Sequence, residues 1–82
     1  MNFNAKAIIL ISGPTSSEIE GVIQSTLKEY SLVVDDVQRI DMAGRLILAF
    51  GISLDQAHAP SIEKELAGIC GKLGFDCAME LL

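Results

Sequence analysis

Val33-Val34-Asp35-Asp36-Val37-Gln38-Arg39-Ile40-Asp41-Met42-Ala43-Gly44-Arg45-Leu46-Ile47-Leu48-Ala49-Phe50-Gly51-Ile52 reads as two strand-like runs hinged at Met42-Ala43-Gly44-Arg45. In the second run, Arg45 to Ile52, Leu46, Leu48, Phe50 and Ile52 fall on one side. Alternation at period two marks a strand with a buried face. The first run, Leu32 to Asp41, alternates less cleanly. Asp35-Asp36 interrupts Leu32-Val33-Val34, which predicts a bulge or a change of face at that point. Gly44 supplies the permissive backbone that a tight hairpin turn requires.

Outward from this hairpin, each side carries one more strand and one helix. Ala5 to Ser12 is a strand with Ala7, Ile9 and Ile11 on one face and Ile8 and Leu10 on the other, and Ser12-Gly13-Pro14 breaks it. Two overlapping capping-box patterns, Thr15-x-x-Glu18 and Ser17-x-x-Glu20, open a helix. Ile19, Val22, Ile23, Thr26, Leu27 and Tyr30 recur at helical spacing, with the exit at Ser31. On the far side, Asp55-Gln56-Ala57-His58-Ala59-Pro60 is a polar connection, and Pro60 suits the first turn of a second helix. Ile62, Leu66, Ile69 and Leu73 form its buried stripe, and Gly74 stops it. Phe75 to Leu81 alternates as a last strand. The order βαββαβ with right-handed crossovers gives an α+β, ferredoxin-like domain: a four-stranded antiparallel sheet with two helices on one face. Ile8, Leu10, Ile47, Ala49 and Ala78 are left on the other face, an apolar patch that calls for a cover.

The totals exclude several functions. With 82 residues the chain is one small domain, and 50% hydrophobic residues are enough for a core. A net charge of −5 opposes a phosphate-backbone binder, and scarce aromatics provide no stacking platform for bases. No apolar run reaches the length of a membrane span. Met1 to Lys6 lacks the features of a signal peptide, so a cytoplasmic protein is expected. Cys70 and Cys77 read as two small buried hydrophobes rather than a disulfide or metal pair. The first loop has no arginine for acylphosphatase-like chemistry and no cysteine for a metallochaperone. His58 reads as a solvated loop residue and Arg45 as a solvated strand-end residue. No catalytic or metal-binding residue is assigned.

Ile9-Leu10-Ile11-Ser12-Gly13, Asp36-Val37-Gln38, Gly44-Arg45-Leu46-Ile47-Leu48 and Leu73-Gly74-Phe75-Asp76-Cys77-Ala78-Met79-Glu80 together resemble an ACT domain. The narrower resemblance is to the N-terminal regulatory ACT domain of actinobacterial-type phosphoserine phosphatases, and it covers nearly the whole chain. It implies that residues 1–82 are a regulatory domain, non-catalytic by itself. In such enzymes a haloacid-dehalogenase-type hydrolase domain that needs magnesium follows. It further implies allosteric regulation by a small amino acid, L-serine first, in serine biosynthesis. The implied partners are a second copy in a homodimer, or an adjacent ACT or catalytic domain. The alternative is a degenerate ACT domain that serves only as a dimerisation module.

In the family the ligand sits near the loop from the first strand to the first helix, where helix N–H groups meet a carboxylate and an acid meets the ammonium. The family loop reads Gly-x-Asp-x-Pro-Gly; here it is Gly13-Pro14-Thr15-Ser16-Ser17-Glu18. Gly13 is retained, Thr15 stands at the Asp, Ser17 at the Pro and Glu18 at the closing Gly. Thr15, Ser16, Ser17 and Glu18 are therefore either ligand contacts or plain helix caps. Asp36 is either a further ligand contact or a carboxylate that steadies the bulge.

Overall fold

A computed structural model describes residues 3–82. Met1 and Asn2, part of the stretch read above for a signal peptide, lie outside the described residues. The elements are β1 (Ala5–Pro14), α1 (Ile19–Leu27), β2 (Leu32–Met42), β3 (Arg45–Leu54), a short 3-10 turn at Gln56–His58, α2 (Ala59–Leu73) and β4 (Asp76–Leu81). The sheet is antiparallel with strand order β2-β3-β1-β4. Both helices lie on one face, which is the ferredoxin-like architecture the sequence implies. Among the described residues no helix is long and apolar enough to cross a membrane.

The hairpin is the two-residue turn anticipated from the sequence. Ala43 and Gly44 take φ of 54° and 75°, the double positive φ that matches the twist of the flanking strands. The register slips between Val34 and Asp36, so Asp35 is the extra residue of a bulge. Its carboxylate accepts a 2.6 Å hydrogen bond from the Ser53 hydroxyl. The acid that holds the bulge is thus Asp35, next to the Asp36 considered for that task.

The core is the helix-facing half of the sheet. Ala7, Ile9 and Ile11 of β1 meet Leu46, Leu48, Phe50, Ile52 and Leu54 of β3, all buried. Ile19, Ile23 and Leu27 from α1 and Ala59, Ile62, Leu66 and Cys70 from α2 close it. The α2 stripe differs from the sequence reading at its end. Leu73 is 50% exposed while Cys70 is buried. The helix stops at Gly74, whose φ of 80° turns the chain away, and the Phe75 N–H bonds the Cys70 carbonyl at 2.8 Å. That closure rotates Leu73 outward and leaves Phe75 to cover the same ground.

Other boundaries differ: β2 extends to Met42 and β3 to Leu54. β1 continues through Gly13 and Pro14, which pair with Leu46 and Arg45 of β3. β4 flanks β1 only as far as Ser12, so Pro14 occupies a place where a missing N–H costs no ladder bond. α1 ends at Leu27, short of the expected exit at Ser31. The Glu29 and Tyr30 amides bond back three residues, to the Thr26 and Leu27 carbonyls, so a tightened turn places Tyr30 in register with the stripe. β4 starts one residue after Phe75, because that residue closes the α2 cap.

Candidate functional site

Thr15 to Glu18 link β1 to α1, and their conformation is set by hydrogen bonds from two directions. The Thr15 N–H donates to the Gly44 carbonyl at 3.0 Å, tying the loop to the hairpin turn. Ser16 then provides the cap. Its Oγ accepts from the Glu18 N–H at 3.1 Å and from the Ile19 N–H at 3.3 Å. Neither predicted capping box forms, because Glu18 is the N-cap by backbone position and makes no side-chain cap bond. Thr15 is drawn off to Asp41, donating from Oγ1 to Oδ1 at 3.3 Å. A hydroxyl two residues ahead of the N-cap reaches the first free amides when the loop turns this tightly.

The side chain that fastens the loop is Arg39, a residue the sequence reading passed over. It sits on edge strand β2, paired with Leu48 and hence on the helix side of the sheet. Its guanidinium donates to Asp41 Oδ2 at 2.8 Å and Oδ1 at 3.3 Å, and to the Ser16 carbonyl at 2.8 Å. Glu20 in the first turn of α1 lies 3.8 Å away. The hydrogen bond from Arg39 holds the Asp41 carboxyl below its usual range, helped by their charge attraction and the bond from Thr15. The same bond to Asp41 raises Arg39. This is a fork-shaped donor satisfied at both ends, and it locks the loop from its β2 side.

On the opposite side of the loop a shallow groove of about 180 Å³ opens, lined by Ser16, Glu18, Ile19, Val22, Leu73 and Phe75. Its floor is apolar and its rim carries one hydroxyl and one carboxylate. Gly13 lies beneath. A Cβ there would come within 2.4 Å of Phe75 Cδ2, so the bare glycine lets the Phe75 ring lie flat against β1. The loop glycine therefore serves the packing of a ring as well as any approach of a ligand.

The sequence-chosen residues divide into two places. Gly13, Thr15, Ser16, Ser17 and Glu18 are contiguous at the end of β1. Asp36 is elsewhere: it pairs with Gly51, which in turn pairs with Ile8. That level is six residues below Pro14 along β1, about 20 Å at strand rise. It also lies on the sheet face away from the helices, where Gln38 donates to it at 3.3 Å. Asp36 and the loop do not converge on one ligand within a single chain. Arg45 stands exposed at the hairpin tip, next to Pro14 in register. His58, read as solvated, is half-buried, and its Nδ1 is shielded without a hydrogen-bond partner among the described residues.

Cys70 and Cys77 are free thiols, one buried and one half-buried. Burial pushes the Cys70 thiol up to about 12 and raises Cys77 as well. Both stay protonated at neutral pH, as packing residues do. No group of three or more His, Cys, Asp or Glu that could hold a metal ion exists among the described residues.

No protein-family model matches the sequence, and no characterised protein matches it by sequence. Solved structures do. An ACT domain protein from Streptococcus pneumoniae superposes with a TM-score of 0.82 at 19% identity, over 94% of this chain and 89% of that one. The fold is that of ACT domains. A protein assigned as a glycine cleavage system transcriptional repressor matches the ACT-type fold at TM-score 0.86 and 13% identity, over 95% of this chain. The ligand-free regulatory subunit of aspartate kinase from Thermus thermophilus matches at 0.73 and 19%, over 96% of this chain. The chain spans about half of these last two, 46% and 52% of their lengths. These likenesses concern the fold.

Proposed function

We propose that this ACT-type chain is a regulatory domain that takes a small amino acid in the groove beside the β1–α1 loop. The observation that carries the proposal is the groove itself. It lies between the first turn of α1 and the Leu73–Phe75 corner, with Glu18 and Ser16 on its rim. Glu18 is the acid available to an ammonium group, and it stands three residues from the family's Asp position, now Thr15. The Glu18 and Ile19 amides are bonded to Ser16, so a ligand carboxylate would take the remaining amides of the first helical turn. Ser16 is occupied with capping, and Arg39 with Asp41 and the Ser16 carbonyl, so those two position the loop and leave the ligand to Glu18 and the backbone. Asp36 would serve such a ligand only if another copy or domain brought it to the loop.

L-serine is the ligand we place first, and phosphoserine phosphatase of the haloacid-dehalogenase type the parent. Both rest on the resemblance of Gly44-Arg45-Leu46 and the chain's last strand to that family. Magnesium would belong to the parent's catalytic domain. Support for an amino-acid regulator as a class comes from two of the fold matches, whose names concern glycine cleavage and an aspartate kinase regulatory subunit. Calorimetric titration of L-serine, glycine and L-threonine against the chain tests the reading. Saturable serine binding that weakens at least about tenfold in Glu18→Gln is expected, the loss of one charge-assisted contact. Binding unchanged by Glu18→Gln would move the ligand out of this groove.

A second reading is favoured by the loop's own bonding. Thr15, Ser16 and Arg39 all have partners within the chain, the arrangement of a loop built to be rigid. On that reading the domain is an assembly module that has lost its ligand. No heat with any amino acid, from a folded and associated chain, is its expected signature.

A further inference from the structure

The sheet face turned away from the helices has a pattern that its register makes explicit. In the middle of β1 the outward residues are Ile8, Leu10 and Ser12, and their partners on β3 are Gly51, Ala49 and Ile47. Each cross-strand pair joins one large side chain to one small one, with the large member on β1 in the first two pairs and on β3 in the third. Leu10 and Ile47 are each 48% exposed, and Ile40, beside Ile47 on β2, is 51% exposed. The face is thus a relief of ridges and hollows rather than a uniform apolar plane.

We infer that this face docks a second copy of the chain, with the two-fold axis running along the strands midway between β1 and β3. Such an axis lays β1 of one copy over β3 of the other at the same height. Each residue of β1 and β3 then faces the type of residue it pairs with inside its own sheet, while β4 of one copy comes over β2 of the other. Leu10 enters the hollow over the second copy's Ala49, Ile8 that over Gly51, and Ile47 that over Ser12. The fit follows from the register alone, and it is isologous, as a two-fold interface must be. Alternation of large and small across facing layers is how sheet faces interdigitate at about 10 Å separation. The inference does not depend on whether the β1–α1 loop binds a ligand.

Two pairs of opposite charge come together on the same axis. Among the described residues both ion pairs belong to Arg39, and Lys6, Arg45, Asp36 and Asp76 have no ionic partner among them. Arg45 sits at the Pro14 level of β3 and Asp76 at the Ser12 level of β4, two strands apart in one sheet. Across the axis, Asp76 of the second copy comes to the strand next to Arg45. Lys6 is brought beside the second copy's Asp36 in the same way, which gives that carboxylate a partner. Glu80, at the Ile8 level, faces Asp36, and Asp76, at the Ser12 level, faces Ile40; these are the two unfavourable facings on the outer strands. Four strands about 4.8 Å apart and about 30 Å long offer a footprint of about 600 Å² per copy. Doubled, that reaches the lower limit of specific interfaces, about 1,200 Å².

Sedimentation equilibrium of the intact chain from micromolar to millimolar concentration, with circular dichroism as the folding control, tests the inference. A reversible dimer is expected. Leu10→Asp, a change at an exposed site of the single chain, weakens it roughly thirtyfold or more, as loss of a central anchor does. Glu80→Lys, placing a cation against Asp36, tightens it roughly threefold or more at low salt, the scale of a rim ion pair. Arg45→Asp weakens it, and Arg45→Asp with Asp76→Arg restores it. A chain that stays monomeric at millimolar concentration overturns the inference. So does a dimer indifferent to Leu10→Asp, which would place the contact on a strand edge. Failure of the double reversal to restore association overturns the proposed axis.

Discussion

Gly13→Ala separates two accounts of the loop glycine, and its size follows from the geometry. The new Cβ would stand 2.4 Å from Phe75 Cδ2, with Cε2 and Cγ at 2.8 and 2.9 Å, so the ring as a whole must move. Phe75 is only half-buried, which gives it a way out, and relief by displacement keeps the cost in the overpacking range of about 1–3 kcal/mol. Against this, replacing glycine reduces the freedom of the unfolded chain and contributes about 0.4–1 kcal/mol of stability. The net is a loss of about 1–2 kcal/mol. For a domain of this size that lowers Tm by about 5–15 °C. Thermal unfolding by circular dichroism measures it, and a cycle with Phe75→Leu assigns the cause. Shortening the ring removes the clash, so the double variant should be more stable than the sum of the single effects implies, by about 1 kcal/mol. A Gly13→Ala chain as stable as the parent, or more so, would refute the claim that this glycine exists for the ring.

The other predictions concern the loop and the hairpin. Ser16→Ala removes the acceptor of two N-terminal amides and should cost about 1 kcal/mol in urea unfolding, whereas Thr15→Ala and Ser17→Ala should each stay within about 0.5 kcal/mol. The Asp41 carboxyl is held low in the folded chain, so its contribution is present above the unfolded value, about 4, and is lost as pH falls through the folded one. The advantage of the parent over Asp41→Asn in urea midpoint should therefore be seen at neutral pH and vanish on acidification; an advantage that grows in acid would contradict the Arg39 pairing. Ala43 sits at φ 54°, where asparagine is easier to accommodate, and Ala43→Asn should raise stability by about 0.5–1 kcal/mol in thermal unfolding.

The fold was legible because its signals are local. Alternation in Arg45 to Ile52, the Asp35-Asp36 interruption and Gly44 each act within a few residues, and each is realised where it was read. The exposed face of β1 and β3 was legible for the same reason, since period two assigns both faces at once. Boundaries failed where a partner from elsewhere set them. β1 runs on through Gly13-Pro14 because β3 is there to pair with it, and α1 stops early because its last amides bond back in a tighter turn.

The site was legible only in its backbone position. Thr15, Ser16 and Ser17 are three adjacent hydroxyls or hydroxyl-like capping candidates in sequence, and choosing among them needs the loop's turn, which Gly44 and Arg39 impose from 29 and 23 residues away. Arg39 carried a signal that was present and not used. In the inward phase of β2, Val37 is followed by Arg39 and Asp41, opposite the buried Phe50, Leu48 and Leu46. Opposite charges two residues apart, in the phase that should have been apolar, mark the place where an edge strand leaves the core and reaches over its rim. A charged pair in that phase has to find its partners on whatever loop crosses that end of the sheet, and here the crossing loop is the one that joins β1 to α1. Thr15 and Ser17, at the Asp and Pro of the family's Gly-x-Asp-x-Pro-Gly, do not hold the loop by themselves, and in this structure it is held instead by Arg39 of the neighbouring strand.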